Sequence, residues 1–267
     1  MCVIGGKTVN LTAYEKVAET RKNKRPSGGY FIENLIENFI ELHGDRRFGD
    51  DGAIIGGIGF FNREPVTVIG VERGDTIEER LKRHFGCPKP EGYRKALRLM
   101  KEAEKFNRPI VCFIGTPGAY CGVDAEERGQ GEAIAENLYE MMGITVPIIS
   151  IIVGEGGSGG ALALGVGNRV AMLENSVYSV ISPEGCAAIL WKDASKADIA
   201  AEALKLTAQD LYSFGVIEKI ICEENLATKE VCKNVKDYIC EEINALKKMT
   251  KQELLDQRYE KFRKIGK

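Results

Sequence analysis

The segment Gly154-Glu155-Gly156-Gly157-Ser158-Gly159-Gly160-Ala161 is the most informative stretch of this 267-residue chain. An apolar run at 148–153 precedes it and predicts a buried strand, and the small residues at 161–166 predict a short helix after it. Because glycine has no side chain, a ligand can closely approach the backbone N–H groups of such a strand-to-helix turn. The segment therefore predicts an α/β fold with a binding site built from main-chain atoms.

Helical and strand patterns alternate on both sides of this turn, which is typical of α/β proteins. Apolar spacing predicts helices at 30–43, 92–106, 124–142, 161–166, 183–191, 196–214, 228–247 and 251–264. Runs rich in β-branched residues predict strands at 53–61, 66–71, 110–114, 148–153, 169–173, 177–181 and 216–222, the first two as a hairpin. We expect a polar, loosely held N-terminal arm at 1–29, one main domain at 30–222, and C-terminal helices at 223–267 that pack on that domain or on a partner.

The composition excludes several classes of protein. Apolar residues make up 44% of the chain, enough for a globular core, and the formal charge of −2 gives no basic excess for binding nucleic acid. The longest apolar run, at 144–153, is far shorter than the about 20 residues of a membrane span. The N-terminus lacks the basic and apolar regions of a secretory signal, so we expect a cytoplasmic protein. Eight cysteines and two histidines show no zinc spacing, so we predict no metal site on this chain.

Three chemistries compete for the glycine-rich segment. Its first six residues satisfy the G-x-G-x-x-G pattern of dinucleotide-binding folds, with Glu174 about twenty residues further on, but the helix that follows is too short for a parallel crossover. The pattern G-x-S-x-G around Ser158 is typical of a hydrolase nucleophile, but both histidines precede the serine, and a pairing with Lys192 or Lys196 has no positive support. Backbone N–H groups at a helix start can instead form an oxyanion hole, which needs no reactive side chain. Tight packing of helix on strand, with no ligand, would also require glycines.

Five strings carry a resemblance to a known family. They are Pro90-Glu91-Gly92-Tyr93-Arg94-Lys95-Ala96-Leu97, Gly115-Thr116-Pro117-Gly118-Ala119-Tyr120, Ala125-Glu126-Glu127-Arg128-Gly129-Gln130, Gly154 to Gly160 with Ala161-Leu162-Ala163, and Ile181-Ser182-Pro183-Glu184-Gly185-Cys186. In this order they cover about residues 30–222 and resemble the carboxyltransferase α subunit of bacterial multi-subunit acetyl-CoA carboxylase. The resemblance implies the crotonase-like fold of the ClpP/crotonase superfamily, a spiral of ββα units with flanking helices.

The resemblance also implies a reaction and its partners. A carboxyl group moves from carboxybiotin, held on a biotin carboxyl carrier protein, to acetyl-CoA, which gives malonyl-CoA for fatty acid synthesis. The chain would act with a β subunit in an α2β2 heterotetramer, with biotin carboxylase as a further partner. The acyl-CoA oxyanion hole and a zinc ribbon would belong to the β subunit.

For this chain the resemblance implies an oxyanion hole for biotin, made by the backbone N–H groups of Gly159 and Gly160 with Ala161 adjacent. Weaker candidates for substrate binding are Gly118, Ala119, Gly156, Gly157 and Ser158. A Gly160→Val change is expected to abolish transfer and to leave the fold largely intact.

Two positions depart from the family pattern, and two other functions stay open. Gly115 stands where the family usually has Asp, and Cys121 stands where it usually has Pro, so a charged role at the first is not carried over and the second is a small-residue substitution or a redox-sensitive thiol. A stand-alone crotonase-fold acyl-CoA hydratase or decarboxylase would need two convergent carboxylates, for which Glu155 and Glu184 are the candidates. A non-catalytic assembly subunit of a carboxylase would need neither.

Overall fold

A computed structural model describes residues 11–223 and 229–266. The strands of these residues form one sheet: β1 Glu37–Glu41, β2 Ile54–Phe61, β3 Glu64–Val71, β4 Ile110–Thr116, β5 Ile148–Gly157, β6 Arg169–Leu173, β7 Val177–Ser179 and β8 Lys219–Ile221. The strand order is β1-β2-β3-β4-β5-β6-β8, and β7 pairs with the last residues of β5. The first three strands are antiparallel to one another, and all pairings from β3 onward are parallel.

The α-helices of the described residues lie around this sheet. They are α1 Ala13–Thr20, α2 Gly28–Leu35, α3 Ile77–Lys82, α4 Pro90–Lys105, α5 Val123–Glu127, α6 Gln130–Gly143, α7 Ser158–Leu162, α8 Pro183–Trp191, α9 Ala197–Leu204, α10 Ala208–Ser213, α11 Lys229–Leu246 and α12 Lys251–Lys264. No described helix is both long enough and apolar enough to cross a membrane.

Most of the predicted elements are confirmed. The hairpin of β2 and β3 closes on the pair Phe61 and Glu64. Helix α8 begins as predicted, because the Ser182 side chain accepts a hydrogen bond from the Gly185 amide at 3.1 Å and Pro183 is the first helical residue. Residue 228, the predicted start of α11, lies outside the described residues.

The predicted helix at 30–43 is wrong beyond Leu35. Helix α2 ends there, and the chain continues as the edge strand β1, which pairs antiparallel with β2. Asn38 has a φ of 50°, and the register shifts between Glu37 and Ile40, so β1 contains a bulge. The apolar spacing of this segment suits a helix, and only the distant strand β2 decides against one.

Other predicted boundaries are also corrected. The helix at 124–142 is two helices, because Gly129 adopts a left-handed φ of 82°, and the helix at 196–214 is divided after Lys205, whose φ is 52°. The helix predicted at 161–166 is α7, which begins at Ser158. Strands β7 and β8 are shorter than predicted.

The expectation of a loosely held N-terminal arm is wrong for residues 11–29. Helix α1 starts with a capping box between Thr12 and Glu15, and it buries Val17 against the main body. Arg25 is also buried. Residues 1–10 lie outside the described residues, and the division of the chain at 29 and 222 stays a prediction.

Two apolar cores lie on opposite faces of the sheet, because successive residues of a strand point to opposite sides. Phe113 of β4 contributes to one core, where its ring stacks on Phe31 at 5.2 Å, and α11 covers it. Cys112 and Ile114 contribute to the other, together with α4 and α6. The fully buried Arg258 of α12 connects α12 to α6. It donates hydrogen bonds to carbonyl oxygens at the end of α6, including that of Met141 at 2.7 Å.

Candidate functional site

The glycine-rich segment forms the junction of β5 and α7. Strand β5 ends at Gly157, and Ser158 then turns the chain into the helix with a left-handed φ of 53°. A side chain at position 157 would overlap the carbonyl oxygen of Pro117 and lie 2.9 Å from the Gly118 nitrogen. The glycine at 157 is therefore required by the close approach of a second stretch of backbone.

That second stretch is the turn after β4, which contains two of the weaker candidates, Gly118 and Ala119. The Thr116 hydroxyl holds it by donating to the Gly118 carbonyl oxygen at 2.7 Å and by accepting from the Gly118 amide at 3.0 Å. A Cβ at Gly160 would overlap the Ala119 nitrogen and lie 2.7 Å from the Gly118 carbonyl carbon. The structure thus brings Gly118 and Ala119 against Gly157 and Gly160, although some forty residues separate them in the chain.

The two central glycines of the segment differ in the space around them. A Cβ at Gly159 would meet only Ile134, at an ordinary contact distance of 3.6 Å, whereas a Cβ at Gly160 would also lie 2.8 Å from the Tyr93 hydroxyl oxygen. The expectation that Gly160→Val leaves the fold intact is therefore wrong, because backbone atoms of the neighbouring turn would have to move. Gly159 is the position where a side chain can be added without this clash.

The amides of Gly159 and Gly160 lie in the first turn of α7, where no preceding helical carbonyl is available. No backbone or side-chain acceptor of the described residues pairs with either amide. Gly159 is half-buried, whereas Gly160 and Ala161 are buried. Two adjacent donors at a helix start, facing a turn that also lacks bulky side chains, can stabilise a negative oxygen. Gly156, by contrast, is buried against Tyr178 and Val177 of β7.

Ser158 is exposed and has no base within reach. Its hydroxyl makes no hydrogen bond to any residue that the structure describes, which includes Lys192 and Lys196. The short α7 also leaves no room for a dinucleotide-binding crossover. The described residues thus support neither the hydrolase nor the dinucleotide alternative.

Glu155 and Glu184 form hydrogen bonds with the same arginine, Arg21, of residues 11–29, which are called the N-terminal segment below. Arg21 donates to Glu155 at 2.9 Å and to Glu184 at 2.6 Å, and the Tyr14 hydroxyl donates to Glu184 at 3.2 Å. Arg21 lowers the pKa of Glu184, and the negative charge of Glu184 raises the pKa of Tyr14. A carboxylate kept ionised in this way is a poor general acid, so the arrangement does not favour a hydratase.

A second ion pair anchors the same segment deeper in the fold. Arg25 pairs with Glu223, and both side chains are almost fully buried. The Arg25 Nε also donates to the carbonyl oxygen of Val153 in β5 at 2.8 Å. The N-terminal segment is therefore attached directly to the strand that carries the glycine turn.

Sequence reasoning missed these arginines. The basic run at 21–25 was visible, but it looked like the end of a solvated arm. The signal that could have found them is the pairing of this run with isolated carboxylates next to the glycine segment, and that pairing requires the fold. Gly115 lies in β4, and the exposed Cys121 follows the turn. No cluster of three or more metal-ligating side chains occurs among the residues that the structure describes.

The sheet and its paired glycine turns form the crotonase-like fold that the resemblance implied. The crystal structure of the 12S transcarboxylase, with methylmalonyl-coenzyme A and methylmalonic acid bound, matches with a TM-score of 0.69 and 17% identity over 86% of this chain and 44% of that chain. Residues 6–266 match the model of the acetyl co-enzyme A carboxylase carboxyltransferase-like family. The chain belongs to this family.

Relatives of high identity agree with this assignment. The acetyl-coenzyme A carboxylase carboxyl transferase subunit alpha of Ruminiclostridium cellulolyticum is 56% identical over 256 residues, which are 96% of this chain and 98% of that protein. A Clostridium tetani protein named for subunits beta/alpha is 54% identical over 263 residues, which are 96% of this chain but 45% of that polypeptide. The chain thus spans nearly all of an α subunit and less than half of a fused β/α polypeptide.

Proposed function

We propose that this chain is the α subunit of an acetyl-CoA carboxylase carboxyltransferase. It takes part in moving the carboxyl group from carboxybiotin to acetyl-CoA, which gives malonyl-CoA for fatty acid synthesis in the cytoplasm. Membership of the family and identities above 50% to curated α subunits support this function. The fused β/α relative supports a β subunit as the other half of the active unit.

The observation that carries the proposal is the pair of unpartnered amides at the start of α7. Biotin, when bound, supplies a ureido group on whose nitrogen the carboxyl group travels. The amides of Gly159 and Gly160 would donate to the ureido oxygen and would stabilise negative charge there, and the adjacent Ala161 would add only a small side chain to the site. Their donors are preorganised, so little reorganisation is needed when charge develops.

The neighbouring turn completes the wall of this site. Gly118 and Ala119 lie against Gly157 and Gly160, and a Cβ at Gly118 would meet nothing within 4 Å, so the open space for the bicyclic ring lies beside Gly118. Gly156 and Ser158 support the turn from either side. The acyl-CoA oxyanion hole, and the zinc ribbon, are proposed for the β subunit, with biotin reaching the site on its carrier protein and biotin carboxylase loading it.

The assignment to one half of an active site is tested by purifying the chain alone and together with a β subunit from the same source. Malonyl-CoA formation from carboxybiotin and acetyl-CoA is expected only in the mixture. Hydration of an enoyl-CoA by the chain alone would contradict the proposal and favour the stand-alone hydratase. A mixture that assembles but never transfers a carboxyl group would favour the assembly subunit.

The amide pair is tested by a Gly159→Val substitution in the assembled complex. The valine side chain has room beside Ile134, and we expect it to narrow the access of a ligand to the adjacent amides. Because the loss of one such donor costs about 3–4 kcal/mol of transition-state stabilisation, kcat/KM should fall by roughly 10²-fold or more. Gly131→Val is the matched control, since Gly131 is exposed on α6 with open space around it. Equal activity of the two variants would refute the assignment.

A further inference from the structure

A cavity of about 170 Å³ lies between the N-terminal segment and the carboxyl ends of β4 and β5. Four arginines line it, namely Arg21, Arg25, Arg73 and Arg80, and Glu155 is the acidic residue of its lining. Its volume is several times the ~30 Å³ that one molecule of liquid water occupies. The cavity lies beside the turn that carries the amides, and charged side chains line it together with Gly115 and Gly154.

Two of the four arginines have their charges balanced. Arg21 is shared between Glu155 and Glu184, and Arg25 is paired with Glu223. The Arg25 side chain is 1% exposed, and its Nη2 is buried without an acceptor in the part of the chain that the structure describes. Even the best-compensated arginine of the cavity therefore keeps an unused donor.

Arg73 and Arg80 have no carboxylate within salt-bridge distance among the described residues. They donate to neutral acceptors instead: Arg73 to the carbonyl oxygens of Thr20 and Arg25, and Arg80 to the carbonyl oxygen of Gly74. Both side chains are half-buried, and neither forms a salt bridge with a carboxylate of the described residues, although the charges of Glu72 and Asp75 act on Arg73 from a greater distance. Burial, and after it the charge of Arg80, lowers the pKa of Arg73.

We propose that this arginine cavity binds a phosphate group. Planar guanidinium groups match the oxygen geometry of phosphate, and a dianion would balance the two charges that no carboxylate meets. The group is either free phosphate or a phosphate of coenzyme A. The second source rests on the proposed function, whereas the first does not.

Gly115 allows a direct test, because it lines the cavity and a Cβ there would meet only Val153, at 3.5 Å. Gly115→Asp introduces a carboxylate into the cavity, and Gly115→Asn introduces a neutral group of the same shape. Binding of inorganic phosphate to the full chain is measured by calorimetry, with chloride at equal ionic strength as the reference. We expect the Kd of Gly115→Asp to rise at least tenfold and that of Gly115→Asn to stay within about threefold of wild type.

Arg80→Gln is an independent second variant. It leaves in place the hydrogen bonds from Arg73 to the carbonyl oxygens of Thr20 and Arg25. It should weaken phosphate binding about tenfold, because it removes a charge-assisted donor. Lys82→Gln on the same helix α3 is the control, since Lys82 is exposed and outside the cavity. The proposal is overturned if phosphate binds no better than chloride, or if Arg80→Gln and Lys82→Gln bind phosphate equally.

The source of the phosphate is identified with the assembled carboxyltransferase. If it is the 3′-phosphate of coenzyme A, Arg80→Gln raises the KM for acetyl-CoA about tenfold but leaves the KM for 3′-dephospho-acetyl-CoA unchanged. If it is free phosphate, both KM values stay at wild type while phosphate binding is weakened. A complex without transfer activity whose chain still binds phosphate would contradict the proposed function and not this site.

Discussion

The two glycine turns and the N-terminal segment both reach the carboxyl ends of β4 and β5, but they contribute by opposite means. The turns approach each other through main-chain atoms, so that Gly157 and Gly160 have no space for a Cβ. The N-terminal segment contributes long side chains, and Arg21 and Arg25 act through charge. Added volume at Gly157 or Gly160 should therefore destabilise the turns, whereas the N-terminal segment should be most sensitive to the loss of the buried Arg25 charge.

The largest effect is expected at Gly157. A Gly157→Ala substitution places a methyl group in the carbonyl of Pro117, so we expect the free energy of unfolding to fall by about 3 kcal/mol or more. Urea denaturation measures this loss. The matched substitution Gly159→Ala, where the methyl group finds ordinary contacts, should change stability by about 1 kcal/mol or less. Equal losses in the two variants would contradict the distinction between the two glycines.

A loss of similar size should follow from breaking the buried ion pair. Arg25→Met leaves Glu223 buried without its partner, which costs about 3–5 kcal/mol. In the double variant with Glu223→Gln, the uncompensated charge is gone, and at least about 1 kcal/mol of the loss should be recovered. Denaturation midpoints of wild type, both single variants and the double variant give the coupling. No recovery in the double variant would mean that packing, not charge, holds the segment.

A smaller effect is expected for Arg21, because its side chain is 39% exposed and solvent screens its ion pairs. Arg21→Gln should cost about 1 kcal/mol or less at neutral pH. It should also raise the pKa of Glu184 toward its ordinary value, which a carbon NMR titration of the carboxyl groups measures, with Glu184→Gln identifying the signal.

The sign of the pH dependence follows from the lowered pKa of Glu184 in the folded protein. The stabilisation by Arg21 is present above the pKa of Glu184 in the unfolded chain, and it is lost as the pH falls through the folded value. Wild type and Arg21→Gln should thus converge in stability at acid pH. A constant difference across that range would contradict the role of Glu184.

The smallest effect on stability is expected at Ser158, which adopts a left-handed φ of 53°. Ser158→Gly should stabilise the protein by about 1 kcal/mol or less, because glycine adopts this conformation without strain. Thermal unfolding measures the change. Ser158→Ala should keep full transfer activity. A loss of activity in this variant would instead support the hypothesis that Ser158 is a nucleophile.

Elements that depend on short-range interactions were predictable from the sequence, and elements that depend on long-range contacts were not. The hairpin of β2 and β3, the start of α8 at Ser182, and the strand before the glycine segment depend on neighbouring residues, and all were predictable. Strand β1 was not, because its pairing with β2 overrides a helical apolar pattern. The start of α7 was predicted three residues late. Ser158 begins the helix with a positive φ, a backbone conformation that residues other than glycine rarely adopt.

By itself, the sequence determined the α/β class, the family, and the turn whose amides are the candidate oxyanion hole. The class and the turn follow from apolar periodicity and glycine spacing, which act over a few residues, whereas the family follows from the resemblance of the five motif strings. Only the tertiary structure decided that Gly159 has space where Gly160 has none, that Arg21 joins two carboxylates, and that four arginines share one cavity. Steric exclusion and charge pairing depend on distances in space, and the chain order does not contain those distances until the sheet has formed.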